Sequence, residues 1–165
     1  MARVCLVGSE DCNLRYELLS RETARNALAT YDLQEPFENT VALETVSLGA
    51  AVALLNDLNW YLVRFTDATM VLEPSVSDAE WLSRSLAAAM RDDTVDQAER
   101  DRFLKVYGVE PPATGETDDS ESNDSKPRLV EPMLVTRTGD TIPEYDLRDV
   151  DDTVAVRVSK DEFGA

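Results

Sequence analysis

The feature that most constrains this chain is the run from Thr40 to Pro74, TVALETVSLGAAVALLNDLNWYLVRFTDATMVLEP, its longest near-continuous apolar stretch. A run this apolar must supply the core, and its period changes within it. Val41, Leu43 and the residues to Val46 alternate with Glu44 as a half-buried strand does. Ser47 then caps a helix in which Leu48, Ala51, Val52, Leu55 and Leu58 recur at helical spacing on one face. The aromatic and β-branched segment Trp60–Phe65 reads as a second strand, and Ala68–Glu73 as a third joined to it by a turn at Asp67. Strand, helix and strand predict a βαβ crossover followed by an antiparallel hairpin.

The flanking segments extend this pattern. Arg3–Val7 is a buried first strand ending at Gly8-Ser9. Leu14–Tyr31, capped by Asn13, reads as one helix with Glu17 and Arg21 as an i,i+4 pair. Leu14, Tyr16 and Leu18 also alternate, so residues 14–19 stay open between helix and strand. A second βαβ unit would then precede the central one. Ser77-Asp78-Ala79-Glu80 has the form of a capping box and predicts a helix to about Arg91. Thr94-Val95-Asp96-Gln97 predicts another, ending at Gly108. Residues 111–127, PPATGETDDSESNDSKP, hold no large apolar side chain and read as an acidic disordered linker or loop. Leu129–Arg137 and Thr153–Ser159 alternate as strands around a turn at Thr138-Gly139-Asp140. Too small to fold alone, they should return to the main sheet. The expectation is therefore a mixed α/β (α+β) fold: a core over 1–110, a linker over 111–127, and a C-terminal β segment over 128–165 packed on the core.

Charge narrows the function. The net charge is −17, and residues 111–127 hold only five of the 33 acids and one of the 16 bases, so −13 belongs to the rest. Only Lys105, Lys126 and Lys160 are lysines, against 13 arginines. Such a surface repels itself in dilute buffer and is screened in molar salt, where the Debye length falls to ~3 Å. Abundant acid with scarce lysine points to a salt-loaded cytosol. Nucleic acid and anionic membrane are disfavoured as partners because phosphate contacts need clustered cations. No apolar run approaches the ~18 residues of a membrane span, and the start of the chain is too short for a signal peptide, which predicts a cytoplasmic protein.

The chemistry-bearing residues are few. There is no histidine, which removes Ser-His-Asp and Cys-His catalysis. Cys5 reads as buried filler, and Cys12 has carboxylate neighbours and no base to activate it. The GSEDCN turn after the first strand lies where α/β proteins cradle phosphate, yet it has one glycine and two acids and fits an ordinary strand-to-helix turn better. Asp146, Asp149, Asp151 and Asp152 could gather Mg²⁺, but in a chain this acidic such clusters usually make a solvated face. Arg15, Arg21 and Arg25 could grip an anion, with Glu17 and Glu22 in pairing range to neutralise them. Trp60, Tyr61 and Trp81 could line a pocket and are better placed as core. No catalytic, cofactor-binding or metal residue is therefore assigned, and no cofactor.

In RVCLVG at the start, RYELLSRETARNALATYD, and VALETVSLGAAVALLNDLNWYLVRF, the chain resembles a family of small acidic haloarchaeal proteins, a domain of unknown function. The resemblance implies a haloarchaeal source and carries no activity or catalytic residues. The leading expectation is a non-catalytic module that binds another protein or regulates it, with oligomeric state open. The alternative is a Mg²⁺-dependent enzyme acting on a nucleotide or phosphoester, which requires carboxylates such as Glu10, Asp11 and Glu44 to converge. A nucleic-acid-associated factor is the third.

Overall fold

The structure is a computed structural model that describes residues 1–94, 102–111, 126–139, 141–147, 150, 152–159 and 162. Its first strand, β1 (Ala2–Gly8), is apolar on both faces and becomes a central strand. It pairs antiparallel with β2 (Thr40–Thr45) on one side and with β3 (Thr66–Leu72) on the other. The sheet continues through β4 (Trp81–Ser83), β7 (Asp152–Val158), β5 (Phe103–Glu110) and β6 (Arg128–Thr136), in the order β2-β1-β3-β4-β7-β5-β6. Only β4 and β7 pair in parallel among these strands. The fold is thus mixed α+β around one seven-stranded mixed sheet, and the C-terminal strands do return to it, β7 lying between β4 and β5.

One face of the sheet is covered by α1 (Leu14–Leu19), α2 (Glu22–Leu28), α3 (Leu48–Asp57), α4 (Asn59–Phe65) and α5 (Arg84–Arg91). Val4, Leu6, Leu43, Val71 and Leu82 from the strands pack there against Leu14, Leu18, Leu28, Leu55, Leu62 and Leu86 from the helices. On the opposite face, Cys5, Ala42, Met70, Phe103, Tyr107 and Val156 form a second cluster with Phe37 and Leu129. Residues from both edges of the sheet meet in that cluster, so the sheet curls around it. The edges are tied at one end by the Glu38 N–H donating to Pro127 O at 2.8 Å and by the Lys126–Glu35 ion pair at 3.7 Å.

Several expectations are corrected. Residues 60–65 form α4, not a strand. A strand would bury alternate residues, whereas the fully buried positions are Leu58 and Leu62, one helical turn apart, with Tyr61 and Phe65 half-buried beside them. The hairpin with residues 68–73 consequently does not exist. The central βαβ unit is split: β2 and β3 run the same way, but β1 lies antiparallel between them, and α3 and α4 make the crossover. The earlier βαβ unit is absent because β1 and β2 are antiparallel. Residues 14–19 are helical with Asn13 as the cap, its Oδ1 accepting from Tyr16 N at 3.1 Å, but the helix breaks at Arg21, which is extended (φ −112, ψ 127).

The Ser77 box forms its local bonds without opening a helix. Ser77 Oγ accepts from Glu80 N at 3.0 Å and Ala79 N at 3.2 Å. The chain then pairs as β4, and α5 starts at Ser83, whose Oγ accepts from Leu86 N at 3.1 Å. Helical capping loses there because Trp81 and Leu82 pair with β7, and Leu82 also with β3. Residues 103–108 are strand β5, buried on both faces between β6 and β7; the rest of the helix expected from Thr94, residues 95–101, lies outside the described residues. The linker expected over 111–127 falls almost wholly outside them as well.

Candidate functional site

The GSEDCN turn is the first place to test for chemistry, and many of its polar atoms are committed to folding. Asn39, held at φ +56, reaches into the turn. Its Nδ2 donates to Ser9 O at 2.9 Å and Cys12 O at 3.0 Å, while its Oδ1 accepts from Leu14 N at 2.9 Å. Gly8 N–H donates to Asn39 O at 2.9 Å, and a Cβ at Gly8 would lie 2.7 Å from Asn39 Nδ2, which explains the glycine. Phe65 O accepts from Ser9 N, Ser9 Oγ and the Cys12 thiol, the last at 3.4 Å. With the amides of Ser9, Cys12, Leu14 and Tyr16 donating inside the protein and the exposed Glu10 and Asp11 beside them, the turn is poorly suited to cradle phosphate.

The carboxylates required by the phosphoester alternative do not converge. Glu10 and Asp11 are exposed beyond the end of β1, while Glu44 lies opposite Arg3 near its start and pairs with it at 3.3 Å. Asp146 and Asp152 are exposed, and Asp149 and Asp151 lie outside the described residues. Among the described residues no group of three or more His, Cys, Asp or Glu is placed to hold a metal ion. Cys5 is completely buried, and burial pushes its thiol up to about 12 against a small opposing effect from Arg3.

The arginines divide by role. Arg15 pairs with Glu35 at 2.8 Å and Arg21 with Glu17 at 3.2 Å, and the break between α1 and α2 separates Arg21 from a helical stack with Arg25. Arg21 instead lies over two rings, 5.7 Å from the centroid of Trp60 and 5.1 Å from that of Phe65. Arg64 also stacks on Trp60 at 3.9 Å, and its Nη1 donates to Trp60 O at 2.9 Å. Trp60, Val63 and Arg64 share the outward face of α4, as residues three and four apart must. Trp60 is 48% exposed and Val63 69% exposed, so Trp60 is not the core residue its sequence suggests. Tyr61 packs on the helical core and Trp81 on the opposite cluster, so the three aromatics line no common pocket.

Curling of the sheet leaves a second feature, a groove of about 960 Å³ between the ends of β1 and β6, lined in part by Glu10, Glu35, Glu38 and Glu131 and by Arg15 and Arg128. A smaller cavity of about 260 Å³ adjoins it, walled by Met70, Val156 and Val158. Asp67, Lys105 and Tyr107 line both. Alternation along β5 sends Phe103 and Tyr107 into the concave face, and Lys105 between them faces the same way. Asp67 is the extra residue of a bulge where β3 slips against Val7 and Gly8, and Tyr107 faces a second bulge at Glu131 and Pro132. Bulges re-aim side chains at sites of this kind. Burial, then Asp67, then Cys5 raise the Tyr107 phenol to about 12, so it stays a donor at neutral pH.

Sequence reasoning missed these three residues and also Glu80. That carboxylate accepts from Arg157 Nε at 2.7 Å and from Arg137 Nη2, at the boundary between the helix-covered and open parts of the sheet. The alternation of Phe103, Lys105 and Tyr107 was the available signal for the cleft, hidden by reading residues 94–108 as helix.

Fold and site together define a small α+β domain with an exposed aromatic and arginine face on α4 and a cleft in its curled sheet, and with no assembled catalytic set among the described residues. The chain belongs to the family of unknown function DUF5804, whose model matches residues 2–109. No curated protein and no solved structure matches it significantly. No described helix is long and apolar enough to cross a membrane.

Proposed function

We propose that this protein is a non-catalytic binding module of a salt-loaded, haloarchaeal-type cytosol, which recognises another protein through the outward face of α4. The observation that carries the reading is Trp60, exposed, with Arg64 stacked on its ring and Arg21 close by. Exposed Trp and Arg side by side are the side chains that most often dominate binding energy at protein interfaces. Arg64 forms no ion pair with a described residue, in a chain of 33 acids and 16 bases. The matching surface is therefore an acidic amphipathic segment, with an apolar side chain against Trp60 and Val63 and a carboxylate on Arg64. Stacking also pre-orders the Trp60 ring, which lowers the entropy lost on docking.

The surface charge supports the salt-loaded setting, since carboxylates spread over the folded part repel one another unless screened. The test is capture from native cell lysate held at molar KCl, comparing the unaltered protein with Trp60→Ala, Arg64→Glu and a control, Glu44→Ala. One partner band retained by the control and lost by both α4 variants is expected. Capture indifferent to Trp60 and Arg64 overturns the assignment of the face.

A further inference from the structure

The cleft in the curled sheet adjoins the α4 surface at Val63 but has its own set of polar groups, and it points to a small-molecule site. Tyr107 is 8% exposed, yet its hydroxyl makes no hydrogen bond with any described residue. A buried hydroxyl without a partner is costly, so the group is either solvated in the cleft or reserved for a ligand. Lys105 is half-buried, lies 5.6 Å from the Tyr107 ring, and forms no ion pair with a described residue. Asp67, aimed by its bulge, is likewise without an ion pair. Several other polar side chains of the smaller cavity are engaged: Ser83 Oγ donates to Glu162 at 2.6 Å, Arg84 to Leu55 O and Asn56 Oδ1 at 3.3 Å, and Thr66 to Leu62 O at 2.6 Å.

The cleft therefore presents one cation, one neutral donor and one anion at the junction of two cavities. Its complement carries a carboxylate and an ammonium on the same small molecule. The 260 Å³ cavity is smaller than pockets for drug-sized ligands and its wall of Met70, Val156 and Val158 is apolar, which suits a short aliphatic side chain. The groove lining carries Glu10, Glu35, Glu38 and Glu131 against Arg15 and Arg128, each of which is paired with a glutamate, and this balance disfavours polyanions and leaves a net-neutral zwitterion unopposed.

We propose that the cleft binds a free α-amino acid with an aliphatic side chain, Lys105 and Tyr107 donating to its carboxylate and Asp67 accepting from its ammonium. The experiment is calorimetric titration of the full chain in molar KCl with L-leucine, and with two analogues that each lack one charged group, 4-methylpentanoate and 3-methylbutylamine. Saturable binding of L-leucine is expected, with either analogue weaker by about tenfold or more, the scale of one charge-assisted hydrogen bond. Lys105→Met and Asp67→Asn should each weaken L-leucine by a similar factor. Asp67→Asn alters an exposed side chain and keeps the test valid if Lys105→Met fails to fold. Absence of L-leucine binding, equal binding of 4-methylpentanoate, or full affinity in Asp67→Asn overturns the proposal.

Discussion

Asn39 offers the sharpest test of why the turn after β1 is a piece of architecture. Its side chain makes three hydrogen bonds to backbone groups of residues 9–14, all partly buried. At about 1 kcal/mol each, their loss in Asn39→Gly should destabilise the fold by about 3 kcal/mol, since glycine accepts the positive φ. Asn39→Ala loses the same bonds and adds about 1 kcal/mol for a Cβ in the left-handed region. Asn39→Asp is the diagnostic variant. It keeps the acceptor for Leu14 N but turns a carboxylate oxygen toward Ser9 O and Cys12 O, where the amide donated at 2.9 and 3.0 Å. It should therefore be no more stable than Asn39→Gly despite differing from asparagine by one atom. Urea unfolding in molar KCl, with unchanged slope, measures all three. Values for Asn39→Asp and Asn39→Gly within about 0.5 kcal/mol of the unaltered protein, the ordinary range for surface changes, would refute the clamp and reopen the turn to an anion.

Three further outcomes follow from the same structure. Alkaline pH should destabilise the protein through Cys5, whose thiol titrates near 12 instead of its usual 9.0 because it is buried. The folded state holds that proton more tightly, so the stability is full below pH 9 and is lost as pH rises through 12, by about 4 kcal/mol at ~1.4 kcal/mol per unit; Cys5→Ala should shrink the fall of the denaturation midpoint over that window and leave the part due to Tyr107, whose phenol is also raised, from 10.0 to about 12. Glu80→Gln should destabilise by about 2–3 kcal/mol, because it leaves Arg157 and Arg137, 13% and 14% exposed, without their shared carboxylate; Glu44→Gln, at an exposed pair, should change stability by less than about 0.5 kcal/mol. Circular dichroism should show a native signal in molar KCl that is lost on dilution, and equal stability in low salt would contradict the reading of the surface charge.

Where sequence periodicity and tertiary burial agree, the elements were legible: β1, β2, α3 capped by Ser47, and the two C-terminal strands. The failures share a cause. Residues 60–65 are β-branched and aromatic, which favours strand locally, but burial of Leu58 and Leu62 on one helical face decides the outcome. Ser77 and Glu80 have capping spacing, yet Glu80 is taken by two arginines 57 and 77 residues away in sequence, partners invisible to any local pattern. The cleft was out of reach for the same reason, since Asp67 on β3 and Lys105 on β5, with β4 and β7 between them, come together only because the sheet curls. The outward face of α4 was half legible: the Glu17–Arg21 pair beside it was, but Trp60 reads as core in the sequence and α4 turns it outward.

The claim that α4 docks another protein is tested most directly inside the cell. The unnatural photoreactive residue p-benzoylphenylalanine is placed at position 63, beside Trp60, and in a second strain at position 44, on the outer edge strand. Irradiation should link the position-63 protein to one discrete partner and leave the position-44 protein unlinked. No adduct at 63, or the same adducts at both positions, would contradict the account.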